Sequence, residues 1–256
     1  MADWSPAQYL KFADERTRAA RDLLAQVPLV DAKLVYDLGC GPGNSTELLV
    51  LAYPRARIIG LDNSSSMLAK AHVAMPQCEF EEADLAQWQG GQGADLLFSN
   101  ATFQWVPGHL EVLQRLLTDL NRGGVLAVQM PDNLGEPSHV AMIAAGRNAP
   151  YADKLARASQ ARDMLPEPAD YYAALKPLCA KFDVWHSIYN HPLDGISGIV
   201  EWLKGTGLRP FLEPLTPEEQ SDYLQRYMAQ LARAYPLQAD GRVLLRFPRL
   251  FMVAVK

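Results

Sequence analysis

One stretch decides the fold of this chain: Leu34-Val35-Tyr36-Asp37-Leu38-Gly39-Cys40-Gly41-Pro42-Gly43-Asn44-Ser45-Thr46. The apolar run at its start predicts a short buried strand, and the apolar residues at 47–52 predict a helix. The three alternating glycines between them let the backbone turn sharply and let a ligand approach its N–H groups. Because the free N–H groups of a helix N-terminus attract anions, this pattern predicts a nucleotide site built from a strand, a loop and a helix.

The spacing within this loop narrows the kind of nucleotide. The dinucleotide fingerprint has Gly or Ala three positions after its second glycine, and this chain has Asn44 there, which argues against NAD. Asp37 lies two residues before the first glycine, where a carboxylate would face a ligand's ammonium group rather than a pyrophosphate. A glycine-rich loop by itself is also consistent with a simple tight turn, so the later strands decide.

Length and composition predict one folded α/β domain. The 256 residues leave room for helical insertions, and 49% apolar with 21% charged residues is typical of a globular protein. Apolar runs fall short of membrane-spanning length, and the chain starts without a basic region followed by an apolar core, so we expect a cytoplasmic protein that does not contact a membrane. A net charge of −5 favours a small-molecule substrate over nucleic acid.

Cysteine and histidine usage gives no sign of a disulfide framework or a metal site. The three cysteines are scattered, and the five histidines show no ligand spacing with them or with one another. We therefore expect no bound metal.

Acidic residues follow the next two predicted strands. The strand at 56–62 ends in Asp62, followed by Asn63, and lies about 20 residues beyond the glycines, where a ribose-binding carboxylate belongs. The strand at 78–82 leads to Asp84 and Leu85, which could bind the adenine amino group and cover its ring. A helix cap for Asp62 and a turn for Asp84 are the structural alternatives.

A fourth strand, at 94–100, ends in Asn100, and Gln104 follows it. Both therefore lie at the carboxyl edge of the predicted sheet, where open α/β folds bind ligands. A helix at 107–120, a turn at 123–124 and a fifth strand at 125–130 complete the regular part of the chain.

The N-terminal segment and the part of the chain after Pro131 depart from this alternation of strands and helices. Residues 5–26 predict an amphipathic helix. Two aromatic side chains near its start, Trp4 and Tyr9, have two possible roles. They either pack in the core or cover the ligand as part of an N-terminal lid at 1–27. After Pro131 we expect helices at 138–149, 151–161 and 169–180, a strand at 182–189, helices over 195–235 and a last strand at 243–255. Pro248 would make that strand edge-like or bulged. Helical inserts at about 133–180 and 192–240 would form a substrate cap within a single domain, 1–256.

In this order, the loop, the acidic strand ends and the Asn100 strand resemble the core of class I S-adenosylmethionine (SAM) methyltransferases. Narrower segments resemble the trans-aconitate 2-methyltransferase family along the whole chain: 1–6, 37–45, 128–133, 205–210 and 247–251. The resemblance implies a doubly wound, seven-stranded, mostly parallel Rossmann-like sheet whose last strand is antiparallel. It also implies SAM as cofactor and methyl transfer to one carboxylate of trans-aconitate in a bacterial cytoplasm.

The resemblance and the strand-end pattern together give a set of expected cofactor-binding residues. They are Trp4, Tyr9, Asp37, Gly39, Cys40, Gly41, Asn44, Asp62, Asn63, Asp84, Leu85, Asn100 and Gln104.

The expected acceptor chemistry needs no catalytic side chain. A carboxylate is ionised at neutral pH and is already a nucleophile, so no general base is required. A tricarboxylate must instead be held by cations, and we expect Arg209 first, then Arg147 and His186. Each of the three is also consistent with a surface residue or a structural ion pair.

Other functions stay open at this point. The same cofactor could serve another small acid or metabolite, or the protein could be a non-catalytic SAM-binding regulator. A nucleic-acid methyltransferase is disfavoured by the acidic charge and by Asn100-Ala101-Thr102-Phe103, which stands where an Asn/Asp-Pro-Pro-aromatic motif would follow the fourth strand. We expect a monomer.

Overall fold

A computed structural model describes residues 13–256, with the side chains of 17–158 and 160–256. Its strands are β1 Leu34–Leu38, β2 Arg57–Asp62, β3 Glu79–Glu82, β4 Leu96–Asn100, β5 Val125–Pro131, β6 Lys181–Leu193 and β7 Val243–Val255. Its helices are α1 Ala13–Leu24, α2 Asn44–Ala52, α3 Ser65–Ala74, α4 His109–Asp119, α5 Pro137–Gly146, α6 Pro168–Leu175, α7 Gly195–Lys204, α8 Arg209–Leu212 and α9 Pro217–Ala234. None of these described helices has both the length and the apolar character needed to cross a membrane.

The strands form a single sheet in the order β3-β2-β1-β4-β5-β7-β6. The neighbouring pairs from β3 to β5 are parallel, and β7 runs antiparallel to both β5 and β6. The expected seven-stranded sheet with an antiparallel last strand is therefore confirmed. The strand order reverses between β1 and β4, so the loops after these strands diverge and leave a crevice at the carboxyl edge of the sheet.

Helices cover both faces of the sheet because its strands bury side chains on both sides. In β4, Leu97 packs in the core beneath α4 and α6, whereas Leu96 and Phe98 pack in the core beneath α1 and α2. This alternation follows the two-residue period of a strand. Fully buried strands of this kind explain the near-continuous apolar runs in the sequence.

A second core lies beyond the carboxyl edge of the sheet. Helices α5, α7 and α9 pack there around Trp202, Tyr223 and Tyr227, and the projecting ends of β6 and β7 contribute to the same core. Each buried tyrosine finds a backbone partner, since the Tyr223 hydroxyl donates to Met142 O at 3.0 Å and the Tyr227 hydroxyl donates to Ser138 O at 2.9 Å. We refer to α5, α7, α8 and α9 as the cap.

The first insert differs from expectation in two ways. Residues 151–161 form two 3₁₀ turns, Ala152–Leu155 and Ala158–Gln160, rather than one helix. Contacts with α9 hold this segment, because Tyr151 donates to Asp222 at 2.8 Å and Lys154 pairs with Glu219 at 2.7 Å. The helix α6 packs on the sheet through Tyr171 and Leu175, so it does not belong to the cap.

Strand β7 contains neither an interruption nor a bulge. Its register with β6 is continuous from Lys181↔Val255 to Leu193↔Val243. The pairing of β7 with β5 begins at Arg249, and Pro248 immediately precedes it in the chain. Pro248, which has no backbone N–H, therefore lies where β7 pairs with β6 alone. The edge-like character expected from Pro248 is thus confined to the first half of an otherwise interior strand.

Candidate active site

A cavity of about 690 Å³ lies between the carboxyl edge of the sheet and the cap. Its size is in the range of small-ligand and cofactor sites. Eight residues expected from the sequence to bind cofactor line it: Gly39, Gly41, Asp62, Asn63, Asp84, Leu85, Asn100 and Gln104.

The loop after β1 forms one wall, and two of its glycines are required by geometry. At Gly39, whose φ is +76°, a Cβ atom would lie 2.1 Å from Thr102 Oγ1, so no larger residue allows this approach to the loop after β4. Gly41 has a φ of +55°, and a Cβ atom there would meet no atom within 4 Å. The loop therefore exposes backbone rather than side chains to the cavity at Gly41.

The carboxylate of Asp62 is held in a fixed orientation at the end of β2. Its Oδ2 accepts a hydrogen bond from the Gly41 N–H at 2.8 Å, and its Oδ1 accepts one from the Ser64 N–H at 2.9 Å. These two bonds hold the carboxylate at the wall of the cavity. At the next strand end, exposed Asp84 accepts from the Ala86 N–H at 3.0 Å beside buried Leu85.

The end of β4 presents unsatisfied acceptors at the cavity. Asn100 Oδ1 and Gln104 Oε1 are buried and have no hydrogen-bond partner among the described residues. Gln104 Nε2 donates to Ala101 O at 2.6 Å, which fixes the orientation of that amide. Ala101 itself has a φ of 59°, a strained conformation of the kind that concentrates at functional sites. Buried acceptors of this kind fit a ligand that brings N–H donors, such as an ammonium group.

Three arginines also line the cavity, two of them at the β5 and β7 side of the sheet edge, and we call this part of the lining the arginine end. Arg249 on β7 is 3% exposed, donates to Gln129 Oε1 at 3.1 Å and lies 4.9 Å from the ring of Phe247. Arg209, on α8 in the cap, pairs with Glu213 at 2.5 Å.

Arg162 is the third arginine and comes from the loop before α6. It donates to Pro131 O at 3.0 Å and to Asn133 Oδ1 at 3.3 Å, and its guanidinium lies 5.1 Å from the ring centre of Trp105. Burial lowers the pKa of Arg162 to about 10, so the side chain stays charged at neutral pH.

The histidine on this wall, His139, is neutral. Burial, with the nearby Arg162 charge, lowers its pKa to about 3. Its Nδ1 lies 3.2 Å from Ser138 Oγ, and its Nε2 approaches Gly207, where a Cβ atom would lie 3.0 Å away. The arginine end of the cavity therefore owes its positive charge to guanidinium groups.

Three of the residues expected to bind cofactor do not line this cavity. Asp37 is fully buried and faces α2, where its Oδ2 accepts from Ser45 Oγ at 2.8 Å and Thr46 Oγ1 at 2.6 Å. Burial raises the pKa of Asp37 to about 6. Because side chains alternate across β1, this carboxylate supports the loop from behind instead of facing the cavity.

The other two lie on the far side of the same loop. Cys40 packs in a small core with Met75 and Phe80, and burial raises the pKa of its thiol. Asn44 lines a separate groove between α2 and α3. Trp4 and Tyr9 lie outside the described residues.

Two of the three expected acceptor residues are also elsewhere. Arg147 is exposed, just after the end of α5. His186, on the edge strand β6, pairs with Asp132 at 2.8 Å and does not line the cavity. Arg209 does line it.

Sequence reasoning missed Arg162 and Arg249. Arg249 had a usable signal, because it is a lone charge within an apolar run at 247–254. Arg162 had none, since it follows the predicted helix at 151–161 in a connecting segment, and only the tertiary fold brings it to the end of β5. No group of three or more His, Cys, Asp or Glu side chains in the described part of the chain is arranged to hold a metal ion.

Comparison with known proteins identifies the fold and the family. A family model described as a methyltransferase domain matches residues 35–124. Solved structures share the fold at low identity: YcgJ from Bacillus subtilis has a TM-score of 0.64 at 11% identity, covering 93% of this chain and 98% of that chain. Phosphoethanolamine N-methyltransferase 2 of Haemonchus contortus, solved with SAM, has a TM-score of 0.56 at 15% identity over 93% of this chain and 52% of that chain.

Curated relatives match over the full length. The trans-aconitate 2-methyltransferase of Rhodopseudomonas palustris strain HaA2 is 58% identical over 100% of both chains. That of Agrobacterium fabrum is 55% identical over 99% of both, and that of Methylobacterium nodulans is 56% identical over 99% of this chain and 98% of its own. With its sheet, its loop and its relatives in agreement, this chain belongs to the trans-aconitate 2-methyltransferase family of SAM-dependent methyltransferases.

Proposed function

We propose that this protein transfers the methyl group of SAM to one carboxylate of trans-aconitate, giving a monomethyl ester and S-adenosylhomocysteine. The observation that carries the proposal is the polarity of the cavity. Asp62 ends β2 and Asp84 follows β3 at one side of the sheet edge, with unsatisfied amide oxygens at the end of β4, whereas the three arginines line the cavity from the β5–β7 side and from the cap. A cationic cofactor and a polyanionic acceptor suit these two ends.

The acidic end would hold the cofactor. The carboxylate of Asp62 would accept hydrogen bonds from the ribose hydroxyls, while Asp84 and Leu85 would bind and cover the adenine ring. Asn100 Oδ1 and Gln104 Oε1 would accept from the ammonium group of the amino-acid moiety. Asp37 would act through the loop, because it anchors the start of α2 rather than reaching the cavity.

The arginine end would hold the acceptor. Guanidinium groups pair with carboxylates through two parallel hydrogen bonds, so they fix both the position and the direction of the bound acid. Trp105, Trp202 and Phe247 line the same region and would exclude water from it. These side chains would hold one carboxylate oxygen in line with the methyl group and the sulfur.

The transfer needs positioning rather than proton removal. Bound SAM supplies a methyl group attached to a positively charged sulfur. As the carboxylate oxygen forms its bond to the methyl carbon, the carbon–sulfur bond breaks and its electron pair stays on sulfur. The negative oxygen and the positive sulfur become neutral together, so a dry cavity favours the reaction. Neutral His139 would provide a hydrogen-bonding wall and no base.

We also propose that the protein acts as a monomer in the bacterial cytoplasm, within a single domain, and that Trp4 and Tyr9, which lie outside the described residues, contact the cofactor. The rest of the expected lid segment includes α1, which packs in the core against the sheet. The net charge of −5 supports a partner that is a small acid rather than a nucleic acid.

Release of S-adenosylhomocysteine from purified protein and SAM tests the proposal. Trans-aconitate, cis-aconitate, citrate and isocitrate would each be offered as acceptor. We expect rapid turnover with trans-aconitate. Turnover with another of these acids alone would keep the cofactor and change the acceptor, whereas tight SAM binding without turnover on any acid would favour a SAM-binding regulator.

A further inference from the structure

Arg162 is a partly buried cation that forms no ion pair in the described structure. Its Nε is shielded from solvent and has no hydrogen-bond partner among the described residues. None of the ion pairs formed within 17–158 and 160–256 includes Arg162. The carboxylate of Asp132 lies near enough to interact electrostatically with Arg162 but is hydrogen-bonded to His186 at 2.8 Å and makes no ion-pair contact with the guanidinium.

The position is informative because withdrawing a guanidinium from water is unfavourable. The loss of solvent is offset only where an anion and hydrogen bonds replace it. Arginine has five N–H donors, and the contacts of Arg162 with Pro131 O and Asn133 Oδ1 use two of them. An anionic ligand would satisfy both the remaining donors and the charge.

The surroundings of Arg162 orient it for such a ligand. Trp105 lies against the guanidinium, 5.1 Å from ring centre to carbon, and the contacts with Pro131 and Asn133 fix its rotation. The aromatic ring covers a face of the group and leaves in-plane N–H donors for a carboxylate. All four residues line the cavity.

Arg209, the cavity-lining arginine of the cap, differs from Arg162 because it has a carboxylate partner. Arg209 is paired with Glu213 at 2.5 Å, and Glu213 lines the same cavity. A carboxylate that binds Arg209 must therefore compete with one already present. At Arg162 no carboxylate of the described residues is paired with the N–H donors, so a bound acid has no carboxylate to displace.

We propose that Arg162 binds a carboxylate of the acceptor that does not react, and so selects acids with several carboxylates over acids with one. This inference rests on the proposed function, because it assigns a role within the acceptor end of the same cavity. The reacting carboxylate would face the sulfonium, while Arg162 holds another carboxylate of the same molecule.

Binding calorimetry on the full chain saturated with S-adenosylhomocysteine tests the inference without turnover. We expect Arg162→Gln to raise the Kd of trans-aconitate at least tenfold and to leave the affinity for S-adenosylhomocysteine unchanged. Arg162→Lys, which keeps the charge and loses the fork, should fall between Gln and wild type. Arg157→Gln is the matched control, since Arg157 is exposed in the same segment, and should stay within twofold of wild type.

Acids that each lack one carboxylate of trans-aconitate locate the contact. They are cis-glutaconate, mesaconate and itaconate. For the acid that lacks the carboxylate bound by Arg162, the Gln variant and wild type should have the same Kd, whereas the other two should be weakened as trans-aconitate is. If Arg162→Gln weakened the binding of all four acids equally, Arg162 would act only as a general positive charge, and the inference would be overturned.

Thermal stability provides an independent readout. Because Arg162→Gln removes a cation that forms no ion pair in the described structure, the ligand-free variant should melt at or above the wild-type temperature and should gain less from added trans-aconitate. A lower melting temperature without ligand would show that Arg162 is a structural residue.

The outcomes separate the two proposals. If wild-type protein saturated with S-adenosylhomocysteine fails to bind trans-aconitate, the proposed acceptor is wrong and this inference falls with it. If wild type and Arg162→Gln bind trans-aconitate equally well, the inference alone is wrong.

Discussion

The backbone N–H of Gly41 donates a hydrogen bond to Asp62 Oδ2 at 2.8 Å. This bond joins the loops that follow β1 and β2, and both residues line the cavity. The Asp62 carboxylate is therefore oriented before any ligand arrives. Such preorganisation lowers the entropic cost of binding.

The first prediction concerns Asp62. Asp62→Ala removes the acceptor of the Gly41 N–H and the carboxylate expected to bind the ribose. Hydrogen bonds to charged groups are worth about 1.5–3 kcal/mol each, so the Kd for SAM should rise at least tenfold. Titration calorimetry measures this. The exposed neighbour Glu82→Ala serves as the control, and an unchanged Kd for Asp62→Ala would remove the ribose assignment.

The second prediction separates backbone strain from ligand contact. Gly41 and Gly123 both have positive φ, +55° and +80°, and at both a Cβ atom would meet nothing within 4 Å. Alanine should therefore destabilise each site similarly, by about 1–2 kcal/mol. Gly41→Ala alone should also weaken SAM binding, because Gly41 lines the cavity and Gly123 does not. Equal SAM affinity in the two variants would contradict the proposed cofactor position.

The third prediction follows from the buried carboxylate of Asp37, whose pKa is raised from 3.8 to about 6. The folded protein holds this proton more tightly than the unfolded chain does. The contribution of Asp37 to stability is thus greatest below about pH 4 and is lost as the pH rises through about 6. Measured against Asp37→Asn, the free energy of unfolding should fall by up to about 3 kcal/mol between pH 4 and pH 7. A difference that is flat with pH would contradict this shift.

The fourth prediction concerns Arg209. Since its charge is shared with Glu213 at 2.5 Å, Arg209→Ala should raise the KM for the acceptor several-fold, less than Arg162→Gln does, with little change in SAM affinity. Steady-state kinetics at saturating SAM measures both variants. An unchanged KM would take Arg209 out of the acceptor contacts.

The fifth prediction is a pH profile without a histidine step. Burial lowers the pKa of His139 to about 3, and the acceptor carboxylate is already ionised at neutral pH. We therefore expect kcat/KM to be flat from about pH 6.5 to about pH 9, in both wild type and His139→Gln. A decline of one order of magnitude per pH unit below about 7 would indicate a general base that the mechanism omits.

The sheet was predictable because local patterns encode it. The apolar runs at 34–38, 57–62 and 96–100 are strands, and polar residues at their ends lie at one edge since parallel strands share a direction. The segment at 151–161 was not predictable in the same way. Its apolar spacing fits a helix, yet contacts with α9 determine its conformation.

The sequence alone determined which chemically important groups follow the strands. These are the glycine loop, Asp62, Asp84 and Asn100, and each lies at a fixed local spacing after its strand. The tertiary structure decided which side chains face the cavity. It turned Asp37 behind the loop through the alternation of β1, and it brought Arg162 and Arg249 together from positions 87 residues apart. Burial and long-range packing set these relations, and neither leaves a periodic signal along the chain.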